Sequence, residues 1–228
     1  MKAMILAAGR GERLRPLTDH TPKPLLRVGS GLLIEHHLVK LAKAGFSEVV
    51  VNLGWLGEQI RQTLGTGQQY GLVIEYSPEP PGALETAGGI VQALPLLGDQ
   101  PFAAIAADIL SDFDYQTLHP PKSPFLGRLV MVDNPSHHPE GDFSLDGERL
   151  QTEGRNRLTF SGIAVYQPAL FRHLTPGRRA LRPVFEAAIS SGQLAGCHHS
   201  GYWSDIGTPE RLDDARHAAL FKPPEPPP

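Results

Sequence analysis

The feature that most constrains the fold is a regular alternation of short apolar runs with helix-like patterns in the first half of the chain. Residues 4–6 and 48–53 form largely apolar runs, the second rich in valine, which is typical of buried strands. Between them, apolar residues recur at helical spacing from Leu33 until Gly45, a residue that favours a helix end. The chain is therefore predicted to begin with a strand, a helix and a second strand.

The same alternation continues as far as Asp108. Two further segments have helical patterns and two have strand patterns: residues 56–64 and 86–94, and residues 72–76 and 101–108. Gly65 and Pro95 are expected to end the two helices. Strands that alternate with helices in this way predict an α/β fold, with a mostly parallel central sheet and helices on both faces.

The second half of the chain has a different pattern. Three segments are predicted as strands and two as amphipathic helices: residues 128–132, 143–150 and 157–166, and residues 182–192 and 209–221. Asp146 and Gly147 interrupt the second strand segment and predict a two-residue turn. We therefore expect this half to be mixed rather than cleanly alternating.

Composition limits the class of protein. The chain has 228 residues, a formal net charge of −3 and 40% hydrophobic residues, which suits one large domain and argues against a general nucleic-acid or membrane surface. Cys197 is the single cysteine, which excludes an internal disulfide and favours a reducing cytoplasm. No apolar run reaches the roughly 18 residues of a membrane-spanning helix, so we expect a soluble cytoplasmic protein. Residues 222–228 are rich in proline and are expected to be disordered.

A long basic loop follows the first predicted strand, within "MILAAGRGERLRPLTDHTPKPLL" at residues 4–26. Strand-to-helix connections usually take about 2–6 residues, so a loop of this length needs a purpose. Gly9 and Gly11 can expose backbone N–H groups, and Arg13 and Arg15 can offer planar donor forks to phosphate. Lys23, between two prolines, supplies a further charge. The spacing matches neither the Walker pattern nor GxGxxG, which argues against a dinucleotide oxidoreductase.

Two acidic residues are candidate metal ligands. Asp108 ends the fourth predicted strand, and the carboxyl ends of parallel strands share one edge of a sheet, so Asp108 and the basic loop are expected on the same edge. Asp205 lies just before Thr208 and Pro209, which predict a helix start. Mg²⁺ is often held by one or two carboxylates together with phosphate oxygens and water. Either aspartate alone could equally be a turn or cap residue.

Three stretches together carry a resemblance to a known family. "LAAGRGERLRPLT" with "PKPLL", the aspartate at 108, and "WSDIGTPERL" resemble the sugar-1-phosphate nucleotidyltransferases over residues 1 to about 220. Among these, the chain is most similar to the bacterial N-acetylmuramate-1-phosphate uridylyltransferases of cell-wall recycling. The resemblance implies a Rossmann-like nucleotidyltransferase domain over residues 1–221 with a sugar-binding second half. It also implies Mg²⁺-dependent transfer of a uridylyl group from UTP to N-acetylmuramic acid 1-phosphate, in a monomer or weak homo-oligomer.

The resemblance also implies roles for particular residues. Arg13 would stabilise the departing pyrophosphate, Lys23 would neutralise the α-phosphate, and Asp108 with Asp205 would hold the metal ion. The nucleotide would contact Ala8, Gly9, Gly11, Glu12, Arg13, Lys23, Glu85, Thr86 and Gly88. The sugar would contact Ala106, Gly141, Glu153, Ser161 and Gly162.

One position departs from the family pattern. Relatives usually have Asn-Gly before the metal-binding aspartate, where this chain has Ala106 and Ala107. We expect activity to survive with weaker binding of the sugar. The alternatives are another substrate pair, such as GTP with mannose 1-phosphate, or a weakly active relative that binds sugar nucleotides in a regulatory role. The lactyl carboxylate of a muramate would need a cation, and the sequence does not choose among four arginines: Arg27, Arg155, Arg157 and Arg182.

Overall fold

Nine of the strands form a single sheet in the computed structural model, which describes residues 1–80 and 84–217. In chain order the strands are β1 (Ala3–Leu6), β2 (Arg27–Val28), β3 (Gly31–Leu32), β4 (Glu48–Leu53), β5 (Val73–Pro78), β6 (Phe102–Ala106), β7 (Ile109–Ser111), β8 (Gly127–Val132), β9 (Phe143–Asp146), β10 (Arg149–Gln151), β11 (Arg157–Tyr166), β12 (Leu194–His199) and β13 (Trp203–Asp205). The α-helices are α1 (Leu33–Lys43), α2 (Gly57–Leu64), α3 (Glu85–Leu97), α4 (Leu181–Ser190) and α5 (Pro209–His217).

The sheet is parallel in its first half and mixed in its second, as predicted. Its spatial order is β5-β4-β1-β6-β11-β8-β12-β10-β9. The first four strands are parallel, β11 is antiparallel to both β6 and β8, and β12 is parallel to β8. Two further ribbons stand outside this sheet, β2 with β3 and β7 with β13.

Helices cover both faces of the sheet because neighbouring strand residues point to opposite sides. Ile5 of β1 belongs to a buried cluster with residues of α1 and α2, whereas Met4 belongs to a second cluster with residues of α3 and α4. Both side chains are fully buried. The continuous apolar pattern of β1 and β4 is thus explained by burial on two faces.

A third, smaller buried cluster connects the elements around the carboxyl edge of the parallel strands. It joins the basic loop, the β7–β13 ribbon and α5 through Leu14, Leu26, Val28, Leu33, Leu110, Ile206, Leu212 and Ala215. Leu14 is 1% exposed and Ile206 is 0% exposed. Apolar packing therefore anchors the long loop and the segment around Asp205 at the same place.

β11 is irregular where it passes the carboxyl edge of β6. Its pairing with β8 shifts register between Phe160 and Ala164. Gly162, inside this irregular stretch, has φ +83°, a conformation that favours glycine.

Three sequence predictions about element boundaries need comment. Pro95 does not stop α3, which continues to Leu97. Because proline has no N–H, one helical hydrogen bond is missing there. Beyond the proline, the N–H of Gly98 still donates to Leu94 O at 2.9 Å. The turn between β9 and β10 uses Gly147 and Glu148, one residue later than predicted, because Asp146 still pairs with Arg149. Residues 218–228, which include the end of the last predicted helix and the tail at 222–228, lie outside the described residues.

No helix within residues 1–80 and 84–217 is long and apolar enough to cross a membrane.

His37 on α1 is a buried histidine below the carboxyl edge of the sheet. Its Nδ1 lies 2.8 Å from the hydroxyl of Tyr115, and the residue is 2% exposed. Burial lowers the pKa of His37 to about 3; the charges of Lys40 and His36 act in the same direction, and that of Asp108 opposes them. The folded protein therefore holds this imidazole neutral at neutral pH.

We predict that His37 makes the folded state less stable as the pH falls from about 6.5 towards 3. The unfolded chain takes up a proton near the ordinary pKa of 6.5, whereas the folded chain does not until about 3. The cost should approach about 1.4 kcal/mol per pH unit in this range. Urea unfolding of the wild type and of His37→Phe between pH 7 and pH 4 measures it. The variant should lose stability less steeply; equal slopes would contradict the prediction.

Candidate active site

A cleft of about 760 Å³ opens at the carboxyl edge of β1, β4 and β6. One wall is formed by residues 7–14 and Lys23 of the basic loop. A second wall comes from β9, β11 and α4 and contains several aromatic side chains. Among them, Phe160 and Phe185 meet edge to face, with their ring centroids 5.4 Å apart. The cleft thus has a polar, basic side and an apolar side.

The basic loop is held in shape by a hydrogen bond to β4 and by another within the loop. Ala7 N–H donates to Asn52 Oδ1 at 2.6 Å, and the hydroxyl of Thr18 donates to Gly11 O at 2.9 Å. Gly11 has φ +63°, and a Cβ there would lie 2.9 Å from Thr18 Cγ2, so a larger residue would not fit. Ala8 and Gly9 lie beside it on the cleft. The loop therefore presents the backbone of its glycines to the cleft.

The arginines of this loop are not equivalent. Arg13 lines the cleft, and its Nη2 would lie 3.0 Å from a Cβ on Gly207. Arg15, which the sequence offered equally as a phosphate ligand, does not line the cleft and pairs with Asp19 through Nε at 3.1 Å. Arg10, which the sequence reasoning passed over, lines the cleft and stacks on Trp55 at 4.6 Å from the ring centroid.

Lys23 and Asp108 form an ion pair between the basic loop and the end of β6. Lys23 Nζ lies 2.5 Å from Asp108 Oδ2. Lys23 is 8% exposed, whereas the side chain of Asp108 is 41% exposed. The buried lysine is therefore fixed, and its partner faces the cleft.

Asp205 is brought close to Asp108 by the β7–β13 ribbon. Asp205 pairs with Ile109, and Ile206 N–H donates to Asp108 O at 2.7 Å. Both aspartates line a second cavity of about 420 Å³ that shares Asp108, Asp142 and Gly162 with the main cleft.

Asp205 has its own cationic partner. Its Oδ1 accepts a hydrogen bond from Arg211 Nη1 at 2.6 Å and lies 3.0 Å from His137 Nε2. Arg211 is placed by the start of α5, where its backbone N–H lies 3.4 Å from the hydroxyl of Thr208, the N-cap that the sequence predicted.

The donor set of Asp108 and Asp205 fits a divalent metal ion of the hard type. Such ions take carboxylate oxygens and complete their shell with phosphate oxygens and water. Within the part of the chain that the structure describes, no group of three or more histidine, cysteine, aspartate or glutamate side chains could hold a metal ion. A metal ion at the two aspartates would therefore rely on a ligand's phosphates.

The predicted site residues fall into three groups. Most line the main cleft: Ala8, Gly9, Gly11, Glu12, Arg13, Lys23, Glu85, Thr86, Ala106, Asp108 and Gly162. Ser161 and Asp205 line the second cavity. Gly88, Gly141 and Glu153 line neither of these two cavities.

The residues outside the cavities have identifiable surroundings. Gly88 is buried, its N–H lies 3.2 Å from Arg179 O, and a Cβ there would lie 2.3 Å from Gly177 O. Gly141 is buried beside the side chain of Asn134 and has φ +60°. Glu153 is exposed in the connection between β10 and β11.

Glu85 has φ +57° at the start of α3. This backbone conformation is uncommon for a residue other than glycine. The Glu85 carboxylate accepts a hydrogen bond from Arg178 Nε at 2.7 Å.

Sequence reasoning missed a buried polar network under the basic loop. Asn52 is 4% exposed, and besides accepting from Ala7 it donates through Nδ2 to Glu79 Oε1 at 2.7 Å. Glu79 Oε2 accepts from Leu84 N–H at 3.2 Å, and a Cβ on Gly89 would lie 2.6 Å from Glu79 Oε1. A signal was present, because Asn52 is a polar residue at the carboxyl end of an otherwise apolar strand.

Asp142 is a second omission. It lines both cavities, and its Oδ2 accepts from Phe160 N–H at 2.8 Å. Its Oδ1 lies 3.4 Å from His138 Nε2 and 3.7 Å from Arg182 Nη1. The sequence pointed to the adjacent Gly141 and gave no separate signal for Asp142, whose importance comes from contacts distant in the chain.

We predict that Asn52→Ala destabilises the protein through this network. The change leaves Ala7 N–H and one oxygen of Glu79 without their partner, which should lower the free energy of unfolding by about 1–3 kcal/mol. Urea unfolding measures the loss. Thr63→Ala on the exposed side of α2 is the control, since the Thr63 hydroxyl bonds only to Gln59 O of its own helix among the described residues. A loss no larger than that of the control would contradict the prediction.

Comparisons with known proteins show what the chain as a whole is similar to. Residues 2–120 match the family model described as Nucleotidyl transferase. Over 227 residues the chain is 50% identical to the N-acetylmuramate alpha-1-phosphate uridylyltransferase of Neisseria meningitidis serogroup B, and the match covers 96% of this chain and 98% of that protein.

A more distant relative and a solved structure extend the comparison. The chain is 33% identical to the mannose-1-phosphate guanyltransferase of Aspergillus fumigatus, and the match covers 92% of this chain but 62% of that longer protein. A crystal structure of a candidate glucose-1-phosphate thymidylyltransferase from Bacillus anthracis superposes with a TM-score of 0.83 at 23% identity, covering 97% of this chain and 98% of that one. At this identity the structural likeness speaks for the fold alone.

Proposed function

The chain belongs to the nucleotidyl transferase family, and we propose that it transfers the uridylyl group of UTP to N-acetylmuramic acid 1-phosphate and releases pyrophosphate. It is an enzyme of the sugar-1-phosphate nucleotidyltransferase type, which acts on nucleotide and sugar-phosphate substrates. The choice of substrates rests on one observation: the chain is 50% identical to the meningococcal protein named for that reaction, and the match covers 98% of that protein.

The reaction needs alignment and charge neutralisation rather than a covalent enzyme intermediate. An oxygen of the sugar phosphate attacks the α-phosphorus of the nucleotide, the bond to the β-phosphate oxygen breaks, and pyrophosphate leaves with the electron pair. Two anions must approach each other, so cations placed between them lower the barrier. The basic side of the cleft supplies such cations.

The residues of the basic loop divide this work. The backbone around Ala8, Gly9 and Gly11, with Glu12, forms the cradle for the triphosphate. Arg13 neutralises the charge that develops on the departing pyrophosphate. Lys23, which is buried and whose Nζ is paired with Asp108, neutralises the α-phosphate.

Members of this family generally use a divalent metal ion, and Mg²⁺ is the ion proposed for this chain. Asp108 and Asp205 would hold it, and both line the second cavity next to the cleft. When bound, it supplies positive charge to the phosphates. Lys23 and Arg211 neutralise the two carboxylates in the structure described here.

The remaining predicted residues are assigned to the two ends of the substrates. Glu85 and Thr86 contact the base. Gly88 has no side chain, which lets the adjoining backbone pack closely against Gly177. Ala106, Ser161 and Gly162 contact the sugar. The contacts of Gly141 and Glu153 with the sugar are proposed from the family resemblance alone.

The substrate proposal is tested by measuring pyrophosphate release with Mg²⁺ for each of several nucleotides paired with each of several sugar 1-phosphates. The nucleotides are UTP, dTTP, GTP, ATP and CTP, and the sugars are N-acetylmuramate, N-acetylglucosamine, glucose and mannose. We expect the highest kcat/KM with UTP and the muramate phosphate. A preference for GTP with mannose 1-phosphate would favour the reaction named for the fungal relative. Binding of nucleotide without turnover of any pair would favour a regulatory role.

We predict that Arg13→Ala and Arg15→Ala differ in effect, although both remove an arginine from the same loop. Arg13 lines the cleft and Arg15 does not. Loss of a cation that acts on the leaving group should lower kcat by roughly 100-fold or more, whereas Arg15→Ala should change kcat little. Steady-state kinetics of the two variants decide the matter. Equal effects would contradict the role given to Arg13.

We predict that Ala106→Asn lowers the KM for the sugar phosphate. Ala106 lines both cavities. Its neighbour Gly162 has no side chain, and a Cβ there would lie only 2.8 Å from Ala106 Cβ, so the glycine leaves space for a larger side chain at position 106. An added amide could hydrogen-bond the sugar and lower KM by about tenfold. The KM for UTP serves as the internal control and should not change. An unchanged KM for the sugar phosphate would overturn the view that the alanine weakens sugar binding.

A further inference from the structure

The acceptor proposed above carries a lactyl carboxylate that N-acetylglucosamine 1-phosphate lacks. A carboxylate that leaves water for the cleft needs a cationic partner, and the carboxylate of Asp142 already lines the cleft. Four arginines were open candidates from the sequence, and the structure separates them.

Three of the four are in the wrong place. Arg157 is used within the protein, since its Nη2 donates to Asp142 O at 2.7 Å and to Gly141 O at 3.3 Å. Arg27 lies on the β2–β3 ribbon, where its Nη1 is 3.4 Å from Ser30 O. Arg155 is exposed in the connection before β11. None of these three lines either of the two cavities.

Arg182 lines the main cleft at the start of α4. Its guanidinium lies over the ring of Phe143 at 5.6 Å, and its Nε donates to Glu186 Oε1 at 2.9 Å, one helical turn further on. Its Nη1 is 3.7 Å from Asp142 Oδ1, which is beyond hydrogen-bonding distance. The guanidinium is therefore held by Nε and by the ring of Phe143, and within the described residues its two Nη groups donate no hydrogen bond.

We propose that Arg182 binds the lactyl carboxylate of the acceptor and so makes the enzyme select the muramate over the glucosamine phosphate. A planar guanidinium can donate two parallel hydrogen bonds to a carboxylate, which gives orientation as well as charge. The ion pair with Asp142, at 3.7 Å, places the guanidinium beside a residue that lines both cavities. This inference rests on the proposed function and adds to it the residue that determines the choice of sugar.

The test compares kcat/KM for the two sugar phosphates, at saturating UTP, in the wild type and in Arg182→Ala, Arg182→Gln and Arg182→Lys. We expect the ratio of muramate to glucosamine activity to fall roughly 10- to 100-fold in the alanine and glutamine variants, mainly through the KM for the muramate phosphate. Lysine keeps the charge without the planar fork, so it should restore part of the ratio. Arg155→Ala is the matched control, because it removes an exposed arginine outside both cavities.

The outcomes separate this inference from the proposed function. If the wild type does not prefer the muramate phosphate, the proposed function fails and the role of Arg182 fails with it. If the wild type prefers it and the Arg182 variants keep the ratio, only the role of Arg182 is overturned. An equal loss with both sugars would also overturn it, since that result indicates general positioning; Arg182→Gln, which keeps most of the side chain, guards against a folding defect.

Discussion

The pairing of β1 with β4 on one side and β6 on the other determines where the basic loop, Asn52 and Asp108 lie. Because the three strands are parallel, their carboxyl ends emerge together. Ala7, Asn52 and Asp108 follow or end these strands, and the hydrogen bonds from Ala7 to Asn52 and from Ala107 to Leu6 O continue the contacts beyond the sheet. The basic loop can therefore be long and still be positioned at both of its ends.

Two ion pairs hold the aspartates of the candidate site. The carboxylates of Asp108 and Asp205 each have a cation, Lys23 and Arg211, at hydrogen-bonding distance. These pairs tie the end of β6 to the basic loop and the end of β13 to α5. Charged groups that the fold already holds in position need little reorganisation when they act on a ligand.

Much of the fold could be predicted from local patterns, because buried parallel strands appear in the sequence as short apolar runs and amphipathic helices as apolar residues at helical spacing. The meeting of Arg13, Lys23 and Asp108 at one edge also followed from strand order. The limits were set by contacts between distant residues. Arg15 looks equivalent to Arg13 until its pairing with Asp19 is seen. Pro95 lies inside α3, where it removes one helical hydrogen bond without ending the helix. Asp142 gains its importance from Phe160 and Arg182, which no local pattern connects to it.

The irregular stretch of β11 has a consequence for how the two cavities can vary. Where the strand passes Ala106, Gly162 contributes backbone only, and any side chain there would meet the methyl group of Ala106. Positions 106 and 162 therefore share one small volume: growth at one is possible only while the other stays small. Substitutions at the two positions are expected to be strongly non-additive, and because both residues line both cavities, the two cavities cannot change shape independently there.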